Sequence, residues 1–201
     1  MNKRNNILTG LLLSTCSFFS AANAQPTQIS VELKALESVR QQEAQGDEIY
    51  FNITEIPVNA KGHKSFFYQI PSYPSHWLSR YLKDVQNITL WKKTVNECID
   101  RDVLISLVEE DMAPWDLNDL VGSIELKLRC EKGKTTQSWS IPNPSITSTV
   151  PNRPNAFSFT GKNAQYRAFF SFSEKPLPVG TQVEVPAQQE LENTLHFPFF
   201  P

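Results

Sequence analysis

Two stretches of this chain alternate apolar and polar residues so regularly that they read as the paired strands of a hairpin. In residues 102–108, Val103, Ile105 and Leu107 share one face. In residues 123–130, Ile124, Leu126, Leu128 and Cys130 share a face, while Glu125, Lys127 and Arg129 lie on the other. Successive side chains of a strand point to opposite sides, so this pattern buries one face and leaves the other in water. Pro114 stands midway between the two runs, at the expected tip of the turn.

The rest of the chain extends the same reading. Residues 28–36, 48–56, 64–70, 87–91, 138–141, 156–160 and 165–173 are short runs rich in β-branched, aromatic or alternating apolar residues, separated by Pro, Asn and Gly. Residues 142–155 read as a long Pro/Asn/Ser loop. Residues 75–85 break the pattern. There Trp77, Leu78, Tyr81, Leu82 and Val85 recur at helical spacing after Pro71 and Pro74, with Ser75 placed to cap a short helix. The expected fold is all-β, an antiparallel β-sandwich of about eight strands with one short helix.

The N-terminal residues carry the parts of a secretory signal in order. Lys3 and Arg4 precede an apolar stretch over residues 7–19, which ends in Ala22-Asn23-Ala24, the small-x-small pattern of a cleavage site. A membrane anchor needs about 20 apolar residues, and this stretch is shorter and more polar. Lipidation at Cys16 is disfavoured by Thr15, where a small residue is the rule. The expectation is a cleaved signal over residues 1–24, a sandwich over 25–174 and a Pro-rich tail over 175–201, in the periplasm or outside the cell. Cleavage removes Lys3 and Arg4 from 19 basic residues and nothing from 21 acidic ones, leaving a charge of −4. That balance argues against a nucleic-acid partner, which requires a basic excess to displace counterions. Cys98 and Cys130 remain, an even count that points to a disulfide in an oxidising compartment. They lie almost symmetrically about Pro114, and their faces match only if a bulge shifts the register. The alternative is two small buried apolar residues.

The hairpin turn concentrates charge. Glu109, Glu110, Asp111, Asp116 and Asp119 fall close together, and clustered carboxylates raise one another's pKa unless a cation joins them. Oxygen ligands in a flexible loop suit Ca²⁺, which takes six to eight of them at about 2.3–2.6 Å. The plainer reading is an acidic, solvated loop. Elsewhere chemistry is scarcely signalled. His63, His76 and His196 form no metal-ligand or Cys-His pair, and there is no nucleophile elbow or phosphate-cradling glycine loop. No catalytic residue is assigned. Glu110 and Asp116, in one turn with no cleft signalled, make a poor glycosidase pair.

Residues 105–111 (Ile-Ser-Leu-Val-Glu-Glu-Asp) followed by Asn118-Asp119-Leu120-Val121-Gly122 resemble the third calcium loop of the C2 domain, a calcium- and phospholipid-binding β-sandwich family. Gly46-Asp47-Glu48-Ile49-Tyr50-Phe51 is similar to that family's first loop. Glu109 stands where the family prefers Asp, and Gln41 where it has another first-loop ligand. The resemblance implies a C2-like fold over about residues 27–174 and calcium held by Asp47, Glu109, Asp111 and Asp119, helped by Asp116. It also implies a role for Met112 and Trp115 at the loop tip, in contact with a membrane surface or a partner protein. Trp115 folded back over the sandwich edge is the structural alternative. The function expected is that of an exported binding module, calcium-assisted. Rival readings are a carbohydrate-binding module stacking sugars on Trp77, Trp91, Trp115 and Trp139, a cell-envelope or secretion-associated subunit docked by its tail, and a secreted enzyme of unfamiliar site.

Overall fold

The computed structural model describes residues 25–58, 65–110 and 118–181. The expected signal segment, the loop residues Asp111, Met112, Trp115 and Asp116, and residues 182–201 lie outside them. The elements run β1 (Thr27–Arg40), β2 (Glu48–Pro57), β3 (Phe66–Ile70), β4 (Trp77–Leu78), a 3₁₀ helix (Ser79–Asp84), β5 (Ile88–Val95), β6 (Arg101–Glu109), β7 (Asp119–Glu131), β8 (Lys134–Ser140), β9 (Thr147–Thr149), β10 (Ala156–Phe159) and β11 (Gln165–Pro176). One sheet has the order β5-β1-β11-β10-β9; the other runs β3-β2-β6-β7-β8, with β4 also paired to β2. All the strand pairs are antiparallel, and the two sheets form an open sandwich.

Alternation in the sequence becomes the core directly. Ile29, Val31 and Leu33 of β1 and Tyr166, Ala168 and Phe170 of β11 face Ile49, Phe51 and Ile53 of β2 and Val103, Ile105 and Leu107 of β6. Each large aliphatic or Phe side chain among them stabilises the fold by roughly 1.5–3 kcal/mol through burial. The Phe51 and Phe170 rings meet edge to face across the sheets at 6.2 Å.

The long edges of the sandwich are joined by different means. On one, Gly122 of β7 lies where a Cβ would come within 2.4 Å of the Phe159 ring and 2.7 Å of Thr147 Oγ1. Only glycine admits that approach, which lets the Ser123 amide donate to Thr147 Oγ1 at 3.1 Å. Gly161 is equally confined, with its amide donating to the Val121 carbonyl at 2.8 Å. On the other edge, the Tyr68 hydroxyl of β3 donates to the Leu90 carbonyl of β5 at 2.6 Å. Beside it Glu55, at the far end of the inward row of β2, accepts from Trp91 Nε1 at 3.0 Å and from Lys93 Nζ, and pairs with Arg101 Nε at 3.3 Å.

The antiparallel sandwich and its one short helix are as expected, and several local details differ. Residues 75–85 are not a capped α-helix. Residues 77–78 are taken into the β2 ladder, and the turn that follows is 3₁₀ without a side-chain cap. Tyr81, expected on the buried face, is exposed there. The loop over 142–155 contains β9, held by pairing to β10. Eleven strands are present among the described residues, the excess over eight coming mostly from the very short β4 and β9. Cys130 is exposed rather than inward, near the end of β7 where it pairs with Thr135 of β8. It is bonded to Cys98, Cα to Cα 5.2 Å. The expected bulge exists, but between Leu107 and Val108 at the opposite end of the hairpin. Cys98 reaches its partner because it precedes β6 and is free of the ladder register.

Replacing Glu55 by Ala should cost about 3 kcal/mol, because it strands the partly buried Lys93 and Arg101 without their counter-charge. Urea unfolding of the variant checks this. A loss under about 0.5 kcal/mol, the scale of an ordinary surface change, would contradict it.

Candidate functional site at the hairpin end

The ladder determines which acidic residues meet. Glu109 is the last residue of β6 and pairs with Ile49 of β2 on one side and with Asp119 of β7 on the other. Asp47 and Glu48 immediately precede or begin β2, and the Glu110 amide donates to the Glu48 carbonyl at 2.7 Å. Asp47, Glu48, Glu109, Glu110 and Asp119 therefore gather at one end of the sandwich although the sequence separates them widely. Three of the five expected metal ligands, Asp47, Glu109 and Asp119, are among these; Asp111 and Asp116 fall outside the described residues.

Asp47 is fully buried and held by its neighbours. Its carboxylate accepts from the Gln42 amide at 2.9 and 3.1 Å, from the Glu43 amide at 2.8 Å and from the Tyr166 hydroxyl. Its own amide donates to Ser79 Oγ at 2.8 Å, and the Ser79 amide returns a bond to the Asp47 carbonyl at 2.9 Å. Gly46 precedes it at φ +99°, the left-handed geometry the tight turn from β1 requires. Asp47 thus pins the 41–47 turn, the 3₁₀ helix and the opposite sheet to one point. Burial costs a carboxylate heavily, and a full set of donors is what makes such a position tolerable.

Glu109 is also buried, and its charge acts on the Tyr166 hydroxyl together with that of Asp47. Asp119, 7 % exposed, has the Lys162 ammonium 2.7 Å from its Oδ2. Next to it the Asn118 amide donates to the Tyr50 hydroxyl at 2.9 Å. On the outer side His76 stands between two glutamates, Nε2 3.5 Å from Glu48 Oε1 and Nδ1 3.4 Å from Glu110 Oε2. His76 is thereby part of the rim rather than a plain loop residue. No local pattern signals this, because its neighbours are set by the β2–β4 pairing. The same is true of Ser79, Lys162 and Tyr166, which sequence reasoning did not place here.

The described acids do not assemble a calcium shell. Asp47 is engaged by amide and hydroxyl donors, Asp119 is faced by an ammonium, and no group of three or more His, Cys, Asp or Glu side chains among the described residues is arranged to hold a metal. Sugar-stacking platforms fare no better among the described tryptophans. Trp91 is buried, Trp77 packs on Phe51, and Trp139 packs on Phe157 and Phe170. The outward cations of β7 are paired, Arg129 with Asp102 at 2.6 Å and Lys127 with Glu125 at 3.3 Å. No protein-family model and no curated protein matches this chain.

Two phenols report on this architecture. Tyr166 is pushed well above the ordinary phenol range by burial first, then by its bond to Asp47 and the Asp47 charge. Tyr68 is raised by burial and then by Glu55. Each stays neutral in the fold at a pH where the unfolded chain, with phenols near pKa 10, gives up the proton. Their stabilisation is complete below about pH 10 and is lost progressively as pH climbs toward the folded values. Urea titrations from about pH 8 to 12 should show falling stability, with a shallower fall when Tyr68 and Tyr166 are both Phe. Equal slopes in the two proteins would contradict the assignment.

Proposed function

We propose that the chain is an exported binding module of C2-like type, whose acidic rim of Glu48, Glu110 and the 109–119 loop docks on a partner protein bearing positive charge. The supporting observation is the convergence of carboxylates from the starts of β2 and β7 and the end of β6, with Glu48 and Glu110 partly exposed around His76. Like charges gathered at one end project a field that steers a cationic surface toward it and repels an anionic one. The Cys98–Cys130 bond is consistent with an oxidising compartment, the periplasm or the exterior.

A second reading keeps calcium. Glu109 and Asp119 face each other across the β6–β7 pair with Asp47 at hand. An ion there would have to displace Lys162 from Asp119 and draw oxygens away from Tyr166 and the turn amides. It would also neutralise part of the rim's charge, so that Met112 and Trp115 could approach an anionic membrane surface. In the first reading the protein neither warms nor cools on calcium titration and stays off phosphatidylglycerol vesicles with or without the ion. Its partner, captured from an envelope fraction, is released by about 0.5 M salt and lost from a Glu48→Lys, Glu110→Lys double variant. A calcium heat abolished by Asp111→Asn with Asp119→Asn, coupled to vesicle binding, would move the assignment to the second reading.

A further inference from the structure

A second charged feature, opposite in sign, lies beside the first. Residues 27–33 of β1 pair with β5, but β1 continues to Arg40 with β11 as its one strand neighbour. Along residues 34–40 the other edge of β1 has no backbone partner among the described residues. Between that open edge and the 3₁₀ helix lies a groove of about 530 Å³, walled by residues 37–41 on one side and Arg80 and Lys83 on the other. Arg40, Arg80 and Lys83 are exposed, and none has an ion-pair partner among the described residues. Glu37 is the one acid in the wall. The floor is apolar, with Leu36 and Leu82 buried beneath it and Val39 44 % exposed at its rim. Arg80 lies over the neighbouring Tyr81 ring at 5.1 Å.

We propose that this groove binds an extended acidic segment of a partner protein, which adds as a strand to the open edge of β1 and places its carboxylates against Arg40, Arg80 and Lys83. Open strand edges recruit extended chain through backbone hydrogen bonds, and the side chains alternating along that chain provide the selection. Guanidinium forks match carboxylates with two parallel bonds, so two arginines and a lysine select acid residues over neutral ones. A helix has its own backbone groups internally bonded and would leave the open edge of β1 unused. A phosphate-bearing surface would use the cations but leave the strand edge unused. The inference is independent of the acidic rim, since none of the rim acids lines the groove.

The test uses a fluorescent ten-residue peptide alternating glutamate and valine, with three controls. These are the lysine–valine counterpart, the same acidic peptide N-methylated on alternate backbone nitrogens, and phosphatidylglycerol vesicles. The acidic peptide should bind saturably by anisotropy. An Arg40→Glu, Arg80→Glu double variant and the N-methylated peptide should each weaken it by at least about tenfold. Both substitutions are at exposed positions, so an unchanged melting curve for the variant shows that the loss is local. No saturable binding, equal binding of the lysine peptide, or indifference to N-methylation would overturn the proposal. Capture by vesicles that depends on Arg40 and Arg80, without peptide binding, would overturn it in favour of a lipid surface.

Discussion

The inward row of β2 reads Asp47, Ile49, Phe51, Ile53, Glu55, three apolar residues closed at each end by a buried carboxylate. Each carboxylate is satisfied from the opposite sheet. Asp47 takes the hydroxyl of Tyr166 on β11, and Glu55 takes the indole and ammonium of Trp91 and Lys93 on β5. An apolar interface alone tolerates sliding by one residue pair, because hydrophobic attraction has no direction. Two buried anions that accept bonds only from particular donors do not, since a slip would leave a charge without partners. The register of one sheet over the other, and with it the placing of the hairpin end, follows from these two points.

That constraint also separates structural from available acids at the rim. Asp47 and Glu109 are withdrawn into the sandwich, and Asp119 is matched by Lys162. Glu48 and Glu110 stay at the surface with His76 between them. The same turn that Asp47 pins carries the chain from the open edge of β1 to β2. The cationic groove and the anionic rim therefore sit on either side of the turn that Asp47 bonds, and a partner engaging both would meet opposite charges side by side.

Much of the sandwich was legible because strand burial is encoded residue by residue: Val103, Ile105 and Leu107, or Tyr166, Ala168 and Phe170, need no tertiary knowledge to be assigned inward. Reading failed where a distant partner decides the outcome. Trp77 and Leu78 have helical spacing, yet β2 offers them a ladder, and Ser79 is claimed by Asp47. β9 was hidden in a Pro- and Asn-rich loop because three residues are too few to show a period, and it is held by pairing to β10 with Thr147 close against Gly122. At the site, Asp47 was singled out only as a calcium ligand, through the resemblance of Gly46-Asp47 to a C2 loop. Its being the hub of a hydrogen-bond network was not legible, since Tyr166 and Ser79 reach it from opposite directions along the chain.

The central claim is that the Asp47 carboxylate and the Tyr166 hydroxyl join the two sheets as one energetic unit. A double-mutant cycle of Asp47→Asn and Tyr166→Phe, read by urea unfolding at neutral pH, measures this directly. The two losses should fail to add, with a coupling of at least about 1 kcal/mol. Additivity within about 0.3 kcal/mol would contradict the account, because it would mean that each group stabilises the fold without the other.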